Sequence, residues 1–404
     1  MEVIKRTNPN HLGCFDYEKQ DDIDLMENLG VNSYRFSISW ARILPKGRFG
    51  NMNMAGIDHY SKLIDSLLQK GIQPFVTLNH YDVPQELVER YGAWLSPKIR
   101  KDFEHYANVC FKFFGNRVKY WVTFNEPNVM AIRGYRSGIY PPSRCSGSFG
   151  NCSKGNSEKE PFIAAHNMIL CHAAAVNTYR TIYQKEQGGV IGIVMNAVWY
   201  EPYSNSTDDK LAAERAQSFY LNWFLDPIIH GKYPEEMHRL LGSQLPVFSK
   251  RDLQDLSNGL DFIGINHYTS FYSKDCIYSN CKSGAPGVSK SEGYTLRTAV
   301  RDGALIGLGM IDDLNSSPID FLNDVERVEY MSCYLDSLAM AIRKGADVRG
   351  YFAWSLLDNF EWLSGFTIRF GLYHVHFATL ERTPKLSAAW YKEFIANTRG
   401  IHTF

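Results

Sequence analysis

The chain repeats one pattern of hydrophobic and polar positions: an amphipathic helix, a glycine near its C-terminal end, and a short apolar strand. In residues 21–30, Ile23, Met26 and Leu29 share one helical face and Gly30 ends the helix. The strand VNSYRFSISW follows. Residues 57–71 repeat the pattern, with Gly71 before the strand IQPFVTLNH. The pattern therefore predicts alternating helices and strands.

Four further segments resemble the strands of this pattern. They are VKYWVTFNE, VIGIVMNAVWY, DFIGINHY and VRGYFAWS, and each follows a glycine at a short distance. Runs that are apolar on both faces are typical of parallel strands covered on both sides. Alternating α and β elements with right-handed crossovers leave two architectures, a doubly wound open sheet or a closed barrel.

The residues that end the strands favour the barrel. Polar or aromatic side chains close nearly every strand: Trp40, Asn79-His80, Asn125-Glu126, Asn196, Asn266-His267-Tyr268 and Trp354-Ser355. In a (β/α)8 TIM barrel these positions meet at the C-terminal rim, where such enzymes carry their sites. No GxGxxG or GxxxxGK[ST] follows a strand, so a nucleotide-binding open sheet lacks its usual signal. We predict an α/β protein with one barrel domain over residues 1–404, although only six strands can be found.

Charge and composition exclude several partners. The 404 residues contain 43 basic and 43 acidic side chains, so a net charge of zero predicts neither a nucleic-acid nor a membrane partner. No apolar run reaches the roughly 18 residues that span a bilayer. What remains is a globular protein unusually rich in aromatics, with 24 Tyr, 24 Phe and 8 Trp.

Cysteines and sequons indicate a secretory route. Two cysteine pairs lie in Gly/Ser/Asn-rich loops, Cys145 with Cys152 and Cys276 with Cys281. Neither pair has zinc-ligand spacing, so we expect no metal; disulfides of an oxidising compartment are favoured over free thiols. Sequons stand at Asn151, Asn205 and Asn315. Because the N-terminus lacks the apolar stretch of a signal peptide, this style of sequence suggests that the start of the protein is missing.

Glu126 is the strongest candidate for chemistry. It ends the strand WVTFNE and precedes Pro127, and with Asn125 it provides a carboxyl group to move a proton and an amide to bind a hydroxyl. Protonation of a glycosidic oxygen requires such an acid. A lone strand-end glutamate is more often a surface ion-pair member. The segment WSLLDNFEW, which carries Trp354, Glu361 and Trp362, adds the aromatic faces and carboxylates that recognise a sugar.

Five motifs together resemble the plant β-glucosidases of glycoside hydrolase family 1. They are TFNEPNV, YRFSISWARILP, NHYD, INHYTS and WSLLDNFEWLSGFTIRFGLYHV, and the similarity covers essentially the whole chain. The resemblance implies a retaining acid/base catalyst at Glu126. It implies substrate contacts at His80, Asn125, Tyr268, Trp354, Glu361, Trp362 and Phe370. Arg35, with Tyr268, would belong to the shell around the family's nucleophile, and the loops after Glu126 and Asn196 would line the aglycone side.

The resemblance also sets the substrate class. Because position 126 is Glu and not Gln, it favours O-glucosidases over thioglucosidases. Two segments, NHYDVPQELVERYGAWLSP and EWLSGFTIRFGLYHV, are most similar to the branch that acts on glucosides of lignin-precursor alcohols. Two carboxylates suffice for this reaction, so no cofactor is expected. The family suggests an extracellular, cell-wall or vacuolar location; the sequence does not set the oligomeric state.

The chain departs from the family at the nucleophile. A retaining glycosidase needs two carboxylates roughly 5–5.5 Å apart, and the family supplies the second from a Thr-Glu-Asn-Gly motif on its seventh strand. This motif is absent, because RDGALIGLGMIDD runs directly towards the helix before the last strand. We therefore expect the first and seventh strands to be missing. ALIGLGMID offers a makeshift strand, with Asp312 or Asp313 as a replacement carboxylate.

Three functions remain open from the sequence. The first is a β-glucosidase, here a shortened form impaired by the loss of the nucleophile. The second is a non-catalytic glucoside-binding protein that keeps the sugar contacts. The third is a fragment without function. Turnover separates the first from the others, and stabilisation by a glucoside separates the second from the third.

Overall fold

The computed structural model describes residues 20–282, 285, 287–306 and 321–398. The helices are α1 Gln20–Leu29, α2 Trp40–Ile43, α3 Met54–Gln69, α4 Gln85–Tyr91, α5 Ile99–Phe114, α6 Pro127–Tyr135, α7 Glu160–Thr178, α8 Gln184–Gln187, α9 Thr207–Gln217, α10 Trp223–His230, α11 Glu235–Leu241, α12 Lys250–Leu256, α13 Val325–Arg343 and α14 Leu386–Thr398. The strands are β1 Ser33–Ser37, β2 Gln73–Asn79, β3 Tyr120–Asn125, β4 Val190–Pro202, β5 Phe262–Asp275, β6 Thr295–Thr298, β7 Val300–Arg301, β8 Ala304–Leu305, β9 Tyr373–His376 and β10 Glu381–Pro384.

The predicted alternation is confirmed for the first five strands. Strands β1 to β6 form one sheet in chain order, and β2 to β5 pair in parallel. Glycines end the helices as expected: Gly30 has φ +84° and Gly71 has φ +71°, the left-handed conformation that glycine adopts without steric cost. The parallel strands β2 to β5 run in chain order and point their C-terminal ends the same way, towards the candidate site.

The sixth strand of the sheet is not the predicted one. β6 runs antiparallel to β5, with Tyr272 opposite Thr298, and was not predicted. The strand predicted over residues 348–355 is not formed. Its hydrogen bonds explain this: the Ser355 amide donates to the Phe370 carbonyl (3.1 Å), and the Ser355 carbonyl accepts from the Leu372 amide (2.8 Å). The segment is therefore held by a local loop and not by a ladder of regular strand pairs.

The makeshift seventh strand falls mostly outside the described residues. Ala304 and Leu305, its first residues, pair with β7 in a two-residue antiparallel hairpin. Residues 307–320, which include Asp312, Asp313 and Asn315, are not among the described residues.

The described chain divides into two compact units, which we treat separately. The first comprises residues 20–35, Asp65–Gln73 and residues 321–398. Its core is formed by Leu29, Met331, Leu372, Tyr373, Ala388 and Tyr391. Asp22 on α1 accepts two hydrogen bonds from Arg382 on β10, at 2.8 and 2.9 Å. This bidentate pair joins the two ends of the unit's sequence.

The second unit comprises Phe36–Ile64 and residues 74–306, and it contains most of the sheet. Its core includes closely packed aromatic rings: Trp40 stacks on Tyr106 (5.1 Å between centroids) and Phe103 on Phe124 (4.6 Å). The Tyr106 hydroxyl lies at 2.9 Å from the Ile38 carbonyl and 2.8 Å from the Leu78 carbonyl. Through it α5 fixes the chain just after β1 and the end of β2, from which His80 projects.

Both predicted disulfides are present, Cys145 with Cys152 and Cys276 with Cys281. Each closes a loop of the second unit, and each pair is separated by only 7 and 5 residues respectively. Asn151 and Asn205 are exposed, as a glycosylation acceptor must be. Within the described residues, no helix combines the length and hydropathy needed to cross a membrane.

Candidate active site

Glu126 lies at the junction of β3 and α6. Its backbone amide donates to the Val194 carbonyl of β4 (2.8 Å), and Pro127 begins α6, a position where a missing N–H costs nothing. Glu126 itself has φ +46°, an uncommon conformation for a residue other than glycine, and its exposure is 8%. The end of β3 and the start of α6 therefore fix the Glu126 carboxyl group in a buried position.

Three neutral groups donate hydrogen bonds to the Glu126 carboxylate. The Asn196 amide on β4 donates to Oε1 at 3.0 Å, and the Asn266 amide on β5 donates to the same oxygen at 2.7 Å. The Tyr81 hydroxyl donates to Oε2. Residues of β4 and β5 thus meet at the carboxyl group that follows β3, although Asn196 and Asn266 lie within strands that extend beyond the predicted ends. None of the three donors carries a charge.

His80 and Asn125 belong to the same cluster. The Asn125 amide nitrogen lies 2.9 Å from His80 Nε2, and its oxygen accepts from the Asn266 amide at 3.1 Å. Asn266 therefore bonds both Asn125 and Glu126. The two predicted sugar contacts lie side by side with the predicted acid/base residue.

Tyr220 supports this cluster from behind. Its hydroxyl donates to the Asn196 Oδ1 at 2.7 Å, so the amide nitrogen of Asn196 is turned towards Glu126. Asn128 donates to the Asn196 backbone carbonyl at 2.9 Å. Burial, and then the neighbouring Tyr200 and Glu126, raise the pKa of Tyr220, so its phenol stays protonated and donates.

Tyr81 is the residue of this cluster that the sequence did not single out. It follows the end of β2 by two positions and has φ +73°. Burial, followed by the charge of Glu126, raises the pKa of Tyr81 well above its ordinary value. The phenol is therefore a hydrogen-bond donor at any physiological pH.

Tyr268 stands apart from the carboxyl group. It lies on β5 two residues after Asn266, is 39% exposed, and makes no hydrogen bond to Glu126 within the described part of the chain. The role of Tyr268 beside the nucleophile therefore stays a prediction.

The remaining candidates lie in the first unit. Arg35 is on β1 and partly buried. Trp354, Glu361, Trp362 and Phe370 are partly buried and flank a loop whose centre is the short 3-10 turn Trp362–Ser364. The Glu361 amide donates to the Gly365 carbonyl at 2.6 Å, and the Trp354-Ser355 peptide bond is cis.

Asp358 holds this loop together and was not predicted. Its carboxylate accepts from Arg369 Nη1 (2.8 Å), Lys385 Nζ (3.3 Å) and the Gly371 amide (3.0 Å). The Asp358 exposure is only 4% and that of Lys385 is 1%. A buried carboxylate with two cations is a structural anchor, and it keeps Glu361 and Phe370 on one ordered loop.

The chain matches one family of known proteins. The family model described as "Glycosyl hydrolase family 1" matches residues 1–295 and 305–400. It therefore leaves unmatched the segment that runs from within β6 to the first residue of β8.

The relatives are plant proteins. Beta-glucosidase 47 of Arabidopsis thaliana is 60% identical over 94% of this chain and 75% of its own length. The coniferin beta-glucosidase of Pinus contorta is 47% identical, covering 97% of this chain and 84% of its own. A protein of Oryza sativa subsp. japonica named "Probable inactive beta-glucosidase 14" is 52% identical, covering 94% and 80%.

Solved structures extend the likeness to the fold. A crystal structure of a rice β-glucosidase shares 42% identity and superposes with a TM-score of 0.87 over 92% of this chain and 86% of that one. The likeness implies the (β/α)8 barrel fold. With the match of the family model over nearly the whole sequence, it follows that the chain belongs to glycosyl hydrolase family 1, among the β-glucosidases of plants.

Proposed function

We propose that Glu126 is the acid/base group of a site for O-β-glucosides, and that this chain is impaired because it lacks the second carboxylate. The observation that carries the first part is that three neutral donors, from β4, β5 and the loop after β2, hold the Glu126 carboxyl group. A group that must gain and lose a proton during each turnover cannot be locked in one charge state by a buried cation. One catalytic domain over the whole chain remains part of this proposal.

The other predicted residues take binding roles in the proposal. His80 and Asn125, which adjoin Glu126, bind hydroxyls of the glucose unit. Glu361 and Trp362 also bind the glucose, and Trp354 is the platform beneath it. Phe370 contacts the aglycone, while Arg35 and Tyr268 take the positions that surround a nucleophile in the family.

The impairment follows from the chemistry of retention. In the first step a carboxylate attacks the anomeric carbon while the acid protonates the leaving oxygen, and in the second step water releases the sugar. No Thr-Glu-Asn-Gly motif occurs in the sequence, and the family match is interrupted between residues 295 and 305. Without the attacking carboxylate the covalent intermediate does not form, so Glu126 is left with only half of the reaction.

We propose phenylpropanoid glucosides as the substrate class. The coniferin beta-glucosidase at 47% identity supports this class. The proposed location is the secretory pathway or beyond it, supported by two disulfides and by exposed sequons at Asn151 and Asn205. The readout for location is glycan attachment to Asn151 and Asn205, and an unglycosylated native protein would contradict it.

The alternative is a glucoside-binding protein without turnover. It is favoured by the lost motif and by the relative at 52% identity whose name marks it as probable inactive. Such a protein would be stabilised by a glucoside, because a ligand that binds only the folded state raises the melting temperature. Glu361→Ala should abolish that rise.

An added nucleophile tests the proposal directly. We would measure release of the aryl group from a chromogenic aryl β-glucoside with and without sodium azide. Azide attack on the anomeric carbon breaks the C1–O bond and forms an α-glucosyl azide, so it replaces the missing carboxylate. We expect little turnover without azide and clear turnover with it.

Two variants make the test specific. Glu126→Gln should abolish azide-dependent cleavage of glucosides with poor leaving groups, and Glu89→Gln, on the exposed face of α4, should not. No cleavage with azide, together with a glucoside-dependent rise in melting temperature, would replace the proposal with the binding protein. If the folded chain shows neither azide-dependent cleavage nor a glucoside-dependent rise in melting temperature, both functions are excluded.

A further inference from the structure

We infer that Tyr81 is a positioning residue for the reaction: its phenol holds Oε2 of Glu126, the carboxyl oxygen that passes the proton to the leaving group. The inference rests on the proposed acid/base role of Glu126. Oε2 of Glu126 then carries the proton, and Tyr81 has a role that the sequence motifs did not indicate.

The hydrogen bonds decide which oxygen carries the proton. Each carboxylate oxygen offers about two positions for hydrogen bonds. Oε1 has both filled, by Asn196 at 3.0 Å and Asn266 at 2.7 Å. Among the described residues, Oε2 accepts only from Tyr81, so one position on it stays open for a proton. The amides therefore fix Oε1 as the carbonyl oxygen, and Oε2 is the oxygen that binds and releases the proton.

Tyr81 is suited to orient this oxygen without competing for its proton. The phenol keeps its own hydrogen, because burial and the Glu126 charge oppose its ionisation. As a neutral donor it does not lock the carboxyl group in its charged form, as a lysine or arginine would. Its ring is fixed edge-on to His80 (5.1 Å between centroids) and lies 5.8 Å from the Tyr140 ring.

The backbone is shaped to bring the two residues together. Tyr81 has φ +73° and Glu126 has φ +46°, so both partners of one hydrogen bond adopt the left-handed conformation that such residues rarely adopt. Local bonds hold the loop of Tyr81: Asp82 Oδ2 accepts from the Trp40 amide (2.8 Å), and the Asn79 amide donates to the Asp82 carbonyl (2.6 Å). Unfavourable backbone conformations that the surroundings maintain are typical of functional sites.

The first test detects the hydrogen bond itself and needs no turnover. A buried phenol proton shared with a carboxylate gives an exchange-protected proton NMR signal downfield of the amides. We expect this signal in the wild-type chain, its loss in Tyr81→Phe and its shift or loss in Glu126→Gln. Tyr91→Phe is the matched control, because Tyr91 donates to a different buried carboxylate, Asp102, at 3.0 Å. A signal that survives Tyr81→Phe unchanged overturns the inference.

The second test measures proton transfer. With azide as nucleophile, a dinitrophenyl glucoside departs without protonation, whereas a cinnamyl alcohol glucoside takes the proton of Oε2 as its C1–O bond breaks. Loss of a hydrogen bond to a charged group predicts that Tyr81→Phe slows the alcohol glucoside by about 10- to 100-fold. The dinitrophenyl glucoside should slow by less than about twofold, because its departure needs no acid.

The pattern of outcomes separates this inference from the proposed function. Equal slowing of both glucosides means a merely structural role for Tyr81 and overturns the inference, as does no slowing of either. Tyr91→Phe should leave the ratio of the two rates unchanged. Failure of azide to support any cleavage overturns the proposed function, and the NMR signal then still decides whether Tyr81 holds Glu126.

Discussion

Two buried carboxylates of this chain, Glu126 and Asp358, have opposite kinds of partner. Glu126, 8% exposed, accepts hydrogen bonds from a phenol and two amides. Asp358, 4% exposed, accepts from Arg369 and Lys385 as well as from backbone amides. Glu126 belongs to the second unit and Asp358 to the first. Each satisfies the rule that a buried carboxylate must accept hydrogen bonds.

The difference separates structure from chemistry. Asp358 is paired with two cations, Arg369 and Lys385, which suits a carboxylate that anchors the loop. Neutral donors orient Glu126 and leave its charge free to change. Glu126 follows an Asn and Asp358 follows a Leu, both in aromatic-rich motifs, so their sequence context does not distinguish them. The charge of their hydrogen-bond partners distinguishes them.

The largest expected effect is on stability, at Asp358. Asp358→Asn leaves Lys385 buried without its carboxylate and should cost about 3–5 kcal/mol of the free energy of unfolding, measured by denaturant titration. Asp347→Asn is the matched control, because its pair with Arg349 is exposed (74% and 87%), and it should leave the stability unchanged within error. Equal effects of the two variants would show that Asp358 is not an anchor.

The next effect is on activity, at Glu126. Glu126→Gln should reduce azide-supported cleavage of an alcohol glucoside by at least about 100-fold, the usual contribution of a general acid. Its effect on the free energy of unfolding should stay within about 1 kcal/mol, because the replacement keeps the shape and removes no cation's partner. A large loss of stability with unchanged activity would reverse the comparison.

The smallest effect concerns His172, a buried base with neutral partners. Its Nδ1 lies 2.7 Å from the Thr123 hydroxyl, and burial, with the charge of Arg180, lowers its pKa to about 3. Because the ordinary value is 6.5, the unfolded chain binds the proton first as the pH falls, and folding loses stability. Between pH 6.5 and 5 the loss should be about 1.5 kcal/mol.

The quantity that tests this prediction is the slope of the free energy of unfolding against pH, and not its absolute value. We would compare the free energy of unfolding of the wild type and His172→Asn across the same pH range. The variant should show a flatter dependence by that amount. Parallel curves of the free energy of unfolding against pH would mean that His172 has the same pKa in the folded and unfolded chains.

Much of this structure follows from the sequence. Periodicity and glycine stops predicted β1 to β5, and the strand-end rule predicted that Asn125-Glu126, Asn196 and Asn266 would point to one rim. The strand over 348–355 was predicted wrongly, because an apolar run does not reveal that the Ser355 amide bonds a neighbouring loop. β6 was missed because its pairing partner, Tyr272, belongs to an extension of β5 beyond the motif.

The site was only partly predictable for a related reason. Motifs identified Glu126, His80 and Asn125, because these residue types at strand ends have a chemical meaning. Tyr81 was missed, since its contact with Glu126 depends on a left-handed turn that no periodicity reveals. Asp358 was missed because its cations come from 11 and 27 residues further along the chain.

The backbone of Glu126 also has a consequence for the residues that position 126 can hold. At φ +46° a glycine would fit without steric cost, whereas a glutamate adopts this conformation only where the surroundings maintain it. A chain that no longer needed the carboxyl group could therefore take glycine or asparagine at position 126 with little steric cost to its backbone.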